Sequence, residues 1–438
     1  MKKKYRIILY TSIFLLCVVA SIILVVKKSN SVYEEESKPK VVKHKSMLSM
    51  NLEQTAGSGD YKTVTQSSWP TEGYKFNAEL SKCENGSTLS WDDTKKAVIM
   101  QGNVSDKCYV YFDIWIPSIA DYCTSGTDLA TCVKNFGDQG PSVSNIYIHN
   151  SSLTNGAGDN SYRYAGANPN NFVCFGSDAS PCPIDNLYRI IGVFGENYHG
   201  ANGKQLVKLI KYDYMTTDEL GTDGDYSQTY KEWGMDSTYK GTYGDGERIG
   251  VYYWNYKATG SATNTWSTSL LNKTNLNTNF INNIGTTWAN KIATVTWKVG
   301  GNTWANIGTK TSSVAYTNEI TNPVTTNTTD NATTYSAKIG LMYVSDYGFA
   351  ASPDAWTLTM SSYNNTTATN NNWMYMGLYE WTISRFADLS YFAFFVDGDG
   401  GVDGGSVVDF GVRASFNLES SVSYVSGSGS MSDPIVIN

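Results

Sequence analysis

Histidine is nearly missing from this chain: 438 residues hold only His44, His149 and His199, and they are scattered. That removes the commonest general base and metal ligand from most of the sequence. No H-E-x-x-H, G-x-S-x-G or G-x-x-x-x-G-K-[ST] segment occurs, and no G-x-G-x-x-G stands at a strand-to-helix junction. No C-x2-C pair occurs either, which disfavours zinc ribbons. Charge is scarce at 17% of residues, and long amphipathic helices of Lys, Glu, Ala and Leu are therefore not expected. The net charge of −7 leaves no footprint for nucleic acid. Six basic residues flank the first hydrophobic run; beyond them 27 Lys and Arg face 40 Asp and Glu, about −13, which disfavours anionic lipid and polyphosphate.

Polarity comes instead from Asn, Thr, Ser and Gly, and aromatic residues are abundant at 13%, with 31 Tyr. This mixture suits a β-rich surface protein. Residues 7–26, IILYTSIFLLCVVASIILVV, carry no charge and are long enough for a membrane-spanning helix. Lys2, Lys3, Lys4 and Arg6 precede it, so a single-pass anchor in the cell membrane is expected, with a cytoplasmic tail at 1–6 and the C-terminal part outside. A cleavable signal peptide is the alternative, but no A-x-A site closes the run. Cys17 stands outside the count of exported cysteines. The other six, Cys83, Cys108, Cys123, Cys132, Cys174 and Cys182, allow fifteen pairings. Sequence neighbours favour 83–108, 123–132 and 174–182, disulfides of an oxidising exterior.

Composition divides the rest. Residues 27–60 are polar with charge blocks and read as a stalk. Residues 61–113 alternate short β runs with turns and predict a small antiparallel module held by Cys83 and Cys108. Residues 114–160 read as a connecting region with one short helix and the start of a hairpin. Within 161–438, the apolar run 188–194 predicts a central strand paired with 205–211, and 339–345 a further buried strand. Near-helical spacing of Leu270, Leu271, Leu276, Phe280, Ile281 and Ile284 predicts a helix within 264–292. The fold class expected is α+β.

Residues 381–418 hold the candidate site. From 384 to 415 there is no Lys, Glu, Gln, Met, Trp or Asn, and aromatics stand among Asp and Gly turns. Every residue there has a codon ending in C, and the five types lacking one are absent. Randomising Asn codons at their first two bases yields this assortment, so a diversified surface is one cause and ordinary β-loop bias the other. Between 390 and 397, aromatics fall on both faces of a strand, which fits either display or two-sided burial. Interfaces favour such rings. The expected contacts are Phe386, Asp388, Leu389, Tyr391, Phe392, Phe395, Asp397, Asp399, Asp403, Val408, Asp409 and Phe410, with Trp381, Phe394, Val396, Val412, Arg413 and Phe416 as scaffold. Asp397, Asp399 and Asp403 begin like an EF-hand loop, but Val402 and Val408 stand where Gly and Glu belong, so no metal is expected. No cofactor is implied.

YRIIGVF with QLVKLIK, TWSTSLLNKTNLNTNF, IGLMYVSDYGFA, EWTIS, GVRASFNL and YVSGSGSMSDPIVI occur in that order. Over residues 161–438 this resembles a group of uncharacterised bacterial surface proteins whose C-terminal domain is similar to the C-type-lectin-like fold. Sulfatase-modifying enzymes and the variable receptors of diversity-generating retroelements share that fold. The group's Gly-Val-Arg-Pro is Gly411-Val412-Arg413-Ala414 here. The resemblance implies a recognition protein, an adhesin or receptor for an external protein or glycan, without catalysis. Two other classes are a carbohydrate-active enzyme, for which Asp346 and Glu380 are the candidate carboxylates, and a purely structural surface protein.

Overall fold

The computed structural model describes residues 47–65, 68–70, 72–102, 105–195, 199–233, 239–244, 246–256, 263–323, 332–406 and 408–438. The chain forms two compact units, Met1–Ile116 and Pro117–Asn438.

In the first unit the strands Tyr61–Val64, Met47–Glu53, Lys107–Ile114 and Tyr74–Cys83 lie side by side in that order. Met50, Leu52, Val110 and Phe112 are buried, and the rings of Trp69, Phe76 and Trp91 surround Phe112 at 5.7–5.9 Å. Cys83 and Cys108 face each other across neighbouring strands and are bonded. Two expectations change here. Part of the stretch expected as stalk is a central strand, Met47–Glu53, and it runs parallel to Lys107–Ile114, so the sheet is mixed rather than antiparallel. Its buried polar residues disguise it. Asn51 donates to the Val110 carbonyl at 3.3 Å, and Glu53 accepts from the Ile114 and Gly59 amides at 2.9 and 3.1 Å.

No helix among the described residues is long and apolar enough to cross a membrane. The longest helical stretch, Leu271–Phe280 continued by Ile281–Ala289, breaks at Gly285 and is studded with asparagine, whereas a span needs about 20 mostly apolar residues. The expected anchor at 7–26 lies outside the described residues. The single-pass anchor and the cell-membrane location are therefore withdrawn, and the fold described is α+β with a β-rich domain and disulfides.

The second unit holds two seven-stranded sheets. The first runs Ile339–Gly340, Ser415–Asn417, Leu206–Lys211, Leu187–Phe194, Tyr162–Tyr164, Ile146–Ile148, with Phe172–Cys174 also on Leu187–Phe194. Leu187–Phe194 is buried along its whole length, as its near-continuous apolar run requires, and pairs antiparallel with Leu206–Lys211 from Tyr188↔Lys211 to Phe194↔Leu206. The second sheet runs Tyr226–Thr229, Gly250–Tyr253, Asp409–Gly411, Glu380–Phe386, Phe392–Val396, Val402–Ser406, with Gly301–Asn302 parallel to Glu380–Phe386.

The helix Leu129–Gly137 begins where Asp128 accepts from the Thr131 amide at 2.8 Å. Its Leu129, Val133 and Phe136 belong to the same core as Tyr188 and Ile190, so residues from 117 onward are part of this unit, not a connector. The run expected as a strand at 339–345 is only Ile339–Gly340. Asp346 accepts from the Tyr343 amide at 3.0 Å and starts a helix, Val344–Ala350. Cys123–Cys132 and Cys174–Cys182 are bonded as the sequence neighbours indicated.

Candidate functional site

The C-terminal segment forms three consecutive strands, Glu380–Phe386, Phe392–Val396 and Val402–Ser406, at one edge of the second sheet. The scaffold residues Trp381, Phe394, Val396, Val412, Arg413 and Phe416 are all buried. Trp381 Nε1 donates to the Tyr252 carbonyl at 2.9 Å, and its ring lies 4.5 Å from Phe410.

Three rings expected as ligand contacts are core instead: Phe386, Phe395 and Phe410 are at most 7% exposed. Both faces of Phe392–Val396 are covered. Phe394 stacks on Phe386 at 4.2 Å, while Phe395 meets Phe410 at 4.6 Å, with Tyr379 and Trp381 around them. Gly404 and Gly405 make room for these rings. A Cβ on Gly404 would sit 2.2 Å from Phe386, and one on Gly405 3.0 Å from Phe395.

Of the other expected contacts, Asp388, Leu389, Tyr391, Asp397, Asp399 and Val408 lie on connections between strands, whereas Phe392, Asp403 and Asp409 lie in strands. Asp388 is exposed, Leu389 and Phe392 are half-buried, and Tyr391 is 45% exposed with its ring 5.0 Å from Phe392. The buried Asn264 amide donates to the carbonyls of Phe386, Leu389 and Phe392 at 2.8–2.9 Å, fixing this connection from below. The next turn is tied down twice, by Tyr347 OH on the Gly400 carbonyl and Tyr375 OH on the Gly398 carbonyl, both at 2.7 Å. Gly400 has φ +97°, open to glycine and strained for other residues. No sequence signal marked Asn264, Tyr347 or Tyr375 for these roles, since each acts on a distant carbonyl.

Asp399, Asp403 and Val408 are exposed, the last at 40%, whereas Asp397 is half-buried. Burial, reinforced by the charges of Asp399 and Asp403, pushes the Asp397 carboxyl up to about 6. Asp409 is committed within the fold, accepting from Ser227 Oγ at 2.6 Å and Gln228 Nε2 at 3.1 Å. Among the described residues, the group of three potential metal ligands within mutual reach is Cys83, Asp106 and Cys108, whose sulfurs are joined in a disulfide. Asp397, Asp399 and Asp403 do not converge in that way.

Asp346 and Glu380, the candidate carboxylate pair, are each buried against their own cation. Lys208 Nζ lies 2.5 Å from Asp346 Oδ2, with Arg163 Nη1 at 3.6 Å from its other oxygen. Arg413 Nε donates to Glu380 Oε1 at 2.8 Å. Neither presents a free oxygen pair to a cleft, the arrangement that sugar cleavage requires. No family model matches the chain, and neither a curated protein nor a solved structure matches it.

Proposed function

We propose that the chain is a non-enzymatic recognition protein, an adhesin or receptor that binds an external protein or glycan. Its contact surface is formed by the inter-strand connections carrying Asp388, Leu389, Tyr391, Asp399 and Val408, with Phe392 and Asp403 on the adjoining strands. The observation that carries this reading is the exposure of Tyr391 and Asp399 on connections whose bases are locked into a buried aromatic scaffold. An apolar ring held out on a rigid base gives contact area at low entropic cost. Three disulfides fit use in an oxidising compartment. The resemblance to lectin-like variable receptors supports the same reading, and with it the proposal that the segment is diversified among copies.

The test is a protein and glycan array probed with the chain and with a Tyr391→Ser, Asp403→Ser variant. A ligand should appear whose affinity drops by about tenfold or more in the variant, the range of a lost hot spot. Equal binding by both proteins, or a blank array, would sink the assignment of this surface.

A further inference from the structure

A cleft of about 550 Å3 opens in the second unit among residues 167–172, 369–376 and 430–432. That lies within the roughly 300–1,000 Å3 typical of small-ligand sites. None of the contacts proposed above lines it.

Its wall contains Arg189, which is buried on the strand Leu187–Phe194. The guanidinium lies 4.4 Å from the Phe172 ring centroid and 4.6 Å from that of Trp373. Nε donates to Asn171 Oδ1 at 2.7 Å, Nη1 to the Trp373 carbonyl at 3.3 Å and Nη2 to the Pro169 carbonyl at 2.9 Å. All three acceptors are neutral, and two of an arginine's five N–H groups remain uncommitted. Among the described residues no carboxylate pairs with it, and burial draws its pKa down to about 9. Arg163 and Arg413, also buried in this unit, each have a carboxylate beside them, whereas Arg385 is buried and, like Arg189, donates to carbonyls.

Lys240 is a second cation on the lining. Its Nζ sits 4.3 Å from the Tyr375 ring centroid and 3.4 Å from the Thr369 carbonyl, again without a carboxylate among the described residues. The described lining holds no Asp or Glu, in a chain with net charge −7. Buried charge without a counter-charge is costly, and an anion entering here would relieve that cost.

The polar groups narrow the ligand. The side-chain amides of Asn168, Asn170 and Asn370 make no hydrogen bond to other described residues, so they are available to hydroxyl groups. Asn372 differs, since it donates to the Tyr347 carbonyl and accepts from the Met374 amide. Tyr212 and Met376 add apolar surface.

From this combination we infer that the cleft binds an anionic sugar, carboxylated or sulfated, with its acid group toward Arg189 and Lys240 and its hydroxyls on the free amides. Titration of the full chain with glucuronate, glucose 6-sulfate, glucose and inorganic sulfate, followed by calorimetry, tests it. One of the two anionic sugars should bind at least about tenfold more tightly than glucose or sulfate, and which one does identifies the acid group. Lys240→Ala and Asn370→Ala, both at exposed positions that leave the core intact, should each weaken that binding by about threefold to tenfold. Lys240→Arg should retain it, and Tyr391→Ser should leave it unchanged, which separates this site from the C-terminal surface. Glucose or sulfate binding as tightly as the anionic sugars, no binding at all, or full affinity in Lys240→Ala would overturn the proposal.

Discussion

The two sheets of the larger unit each surround a buried carboxylate, and they treat it differently. In the first, Asp346 stands against Lys208 from Leu206–Lys211 and Arg163 from Tyr162–Tyr164. Burial alone would push this carboxyl up, but the neighbouring cations, Lys208 foremost, outweigh it and hold Asp346 below the usual range. In the second, Glu380 has one arginine, Arg413, which also donates to the Met374 carbonyl at 2.6 Å. There burial prevails over the arginine, and Glu380 is pushed above the usual range. The acid with two cations in reach is thus lowered, and the acid with one is raised.

The signs follow from linkage. A depressed carboxyl contributes its stability above the unfolded value of about 3.9 for Asp, and loses it as pH falls through the folded value. A raised carboxyl contributes below its unfolded value, about 4.3 for Glu, and loses that contribution as pH rises through the folded one. Asp346→Asn strands the buried Lys208, while Arg163 keeps Asp159 at 2.8 Å, and should cost about 3–5 kcal/mol in urea unfolding at pH 7. A loss under about 1 kcal/mol would break the contrast. Glu380→Gln removes the carboxylate beside the buried Arg413 and should cost about 1–3 kcal/mol at pH 5 and less at pH 8, because a raised carboxyl gives up its contribution as pH rises. A loss that grew with pH would reverse the assignment. The smallest effect belongs to the partly solvated Asp397, raised to about 6. Asp397→Asn should gain about 0.5 kcal/mol at pH 8 and nothing at pH 4, after discounting for solvent screening. A thermal melt at the two pH values resolves it.

What could be read from the sequence was local. Leu187–Phe194 announced itself because a strand buried on both faces is apolar throughout, and the three disulfides joined near neighbours. Whatever depended on a distant partner stayed hidden. Asn51 and Glu53 reach acceptors and donors some 60 residues away, so their strand looked like polar linker. Asn264 holds carbonyls more than 120 residues downstream, yet it looked like one more polar residue in an Asn-rich chain. The aromatic alternation at 390–397 had two solutions, and burial decided for Phe395 while exposure decided for Tyr391. The membrane reading came from residues 7–26 and the basic residues before them, and nothing in the described fold carries it. The cleft was unreadable in principle, because Arg189, Lys240 and Asn370 come from three remote stretches.

The glycine facing Phe386 sets a limit on how this surface can change over generations. A side chain at 404 must displace a ring in the core, because its first carbon would lie 2.2 Å from Phe386. A change at 391, where the ring is already 45% exposed, displaces much less. Sequences sampled from many copies of this chain should therefore drift freely at 388, 391, 399 and 403 while 404 stays silent. The repertoire available to the segment is then far smaller than its length, and its boundaries are drawn by the rings beneath it.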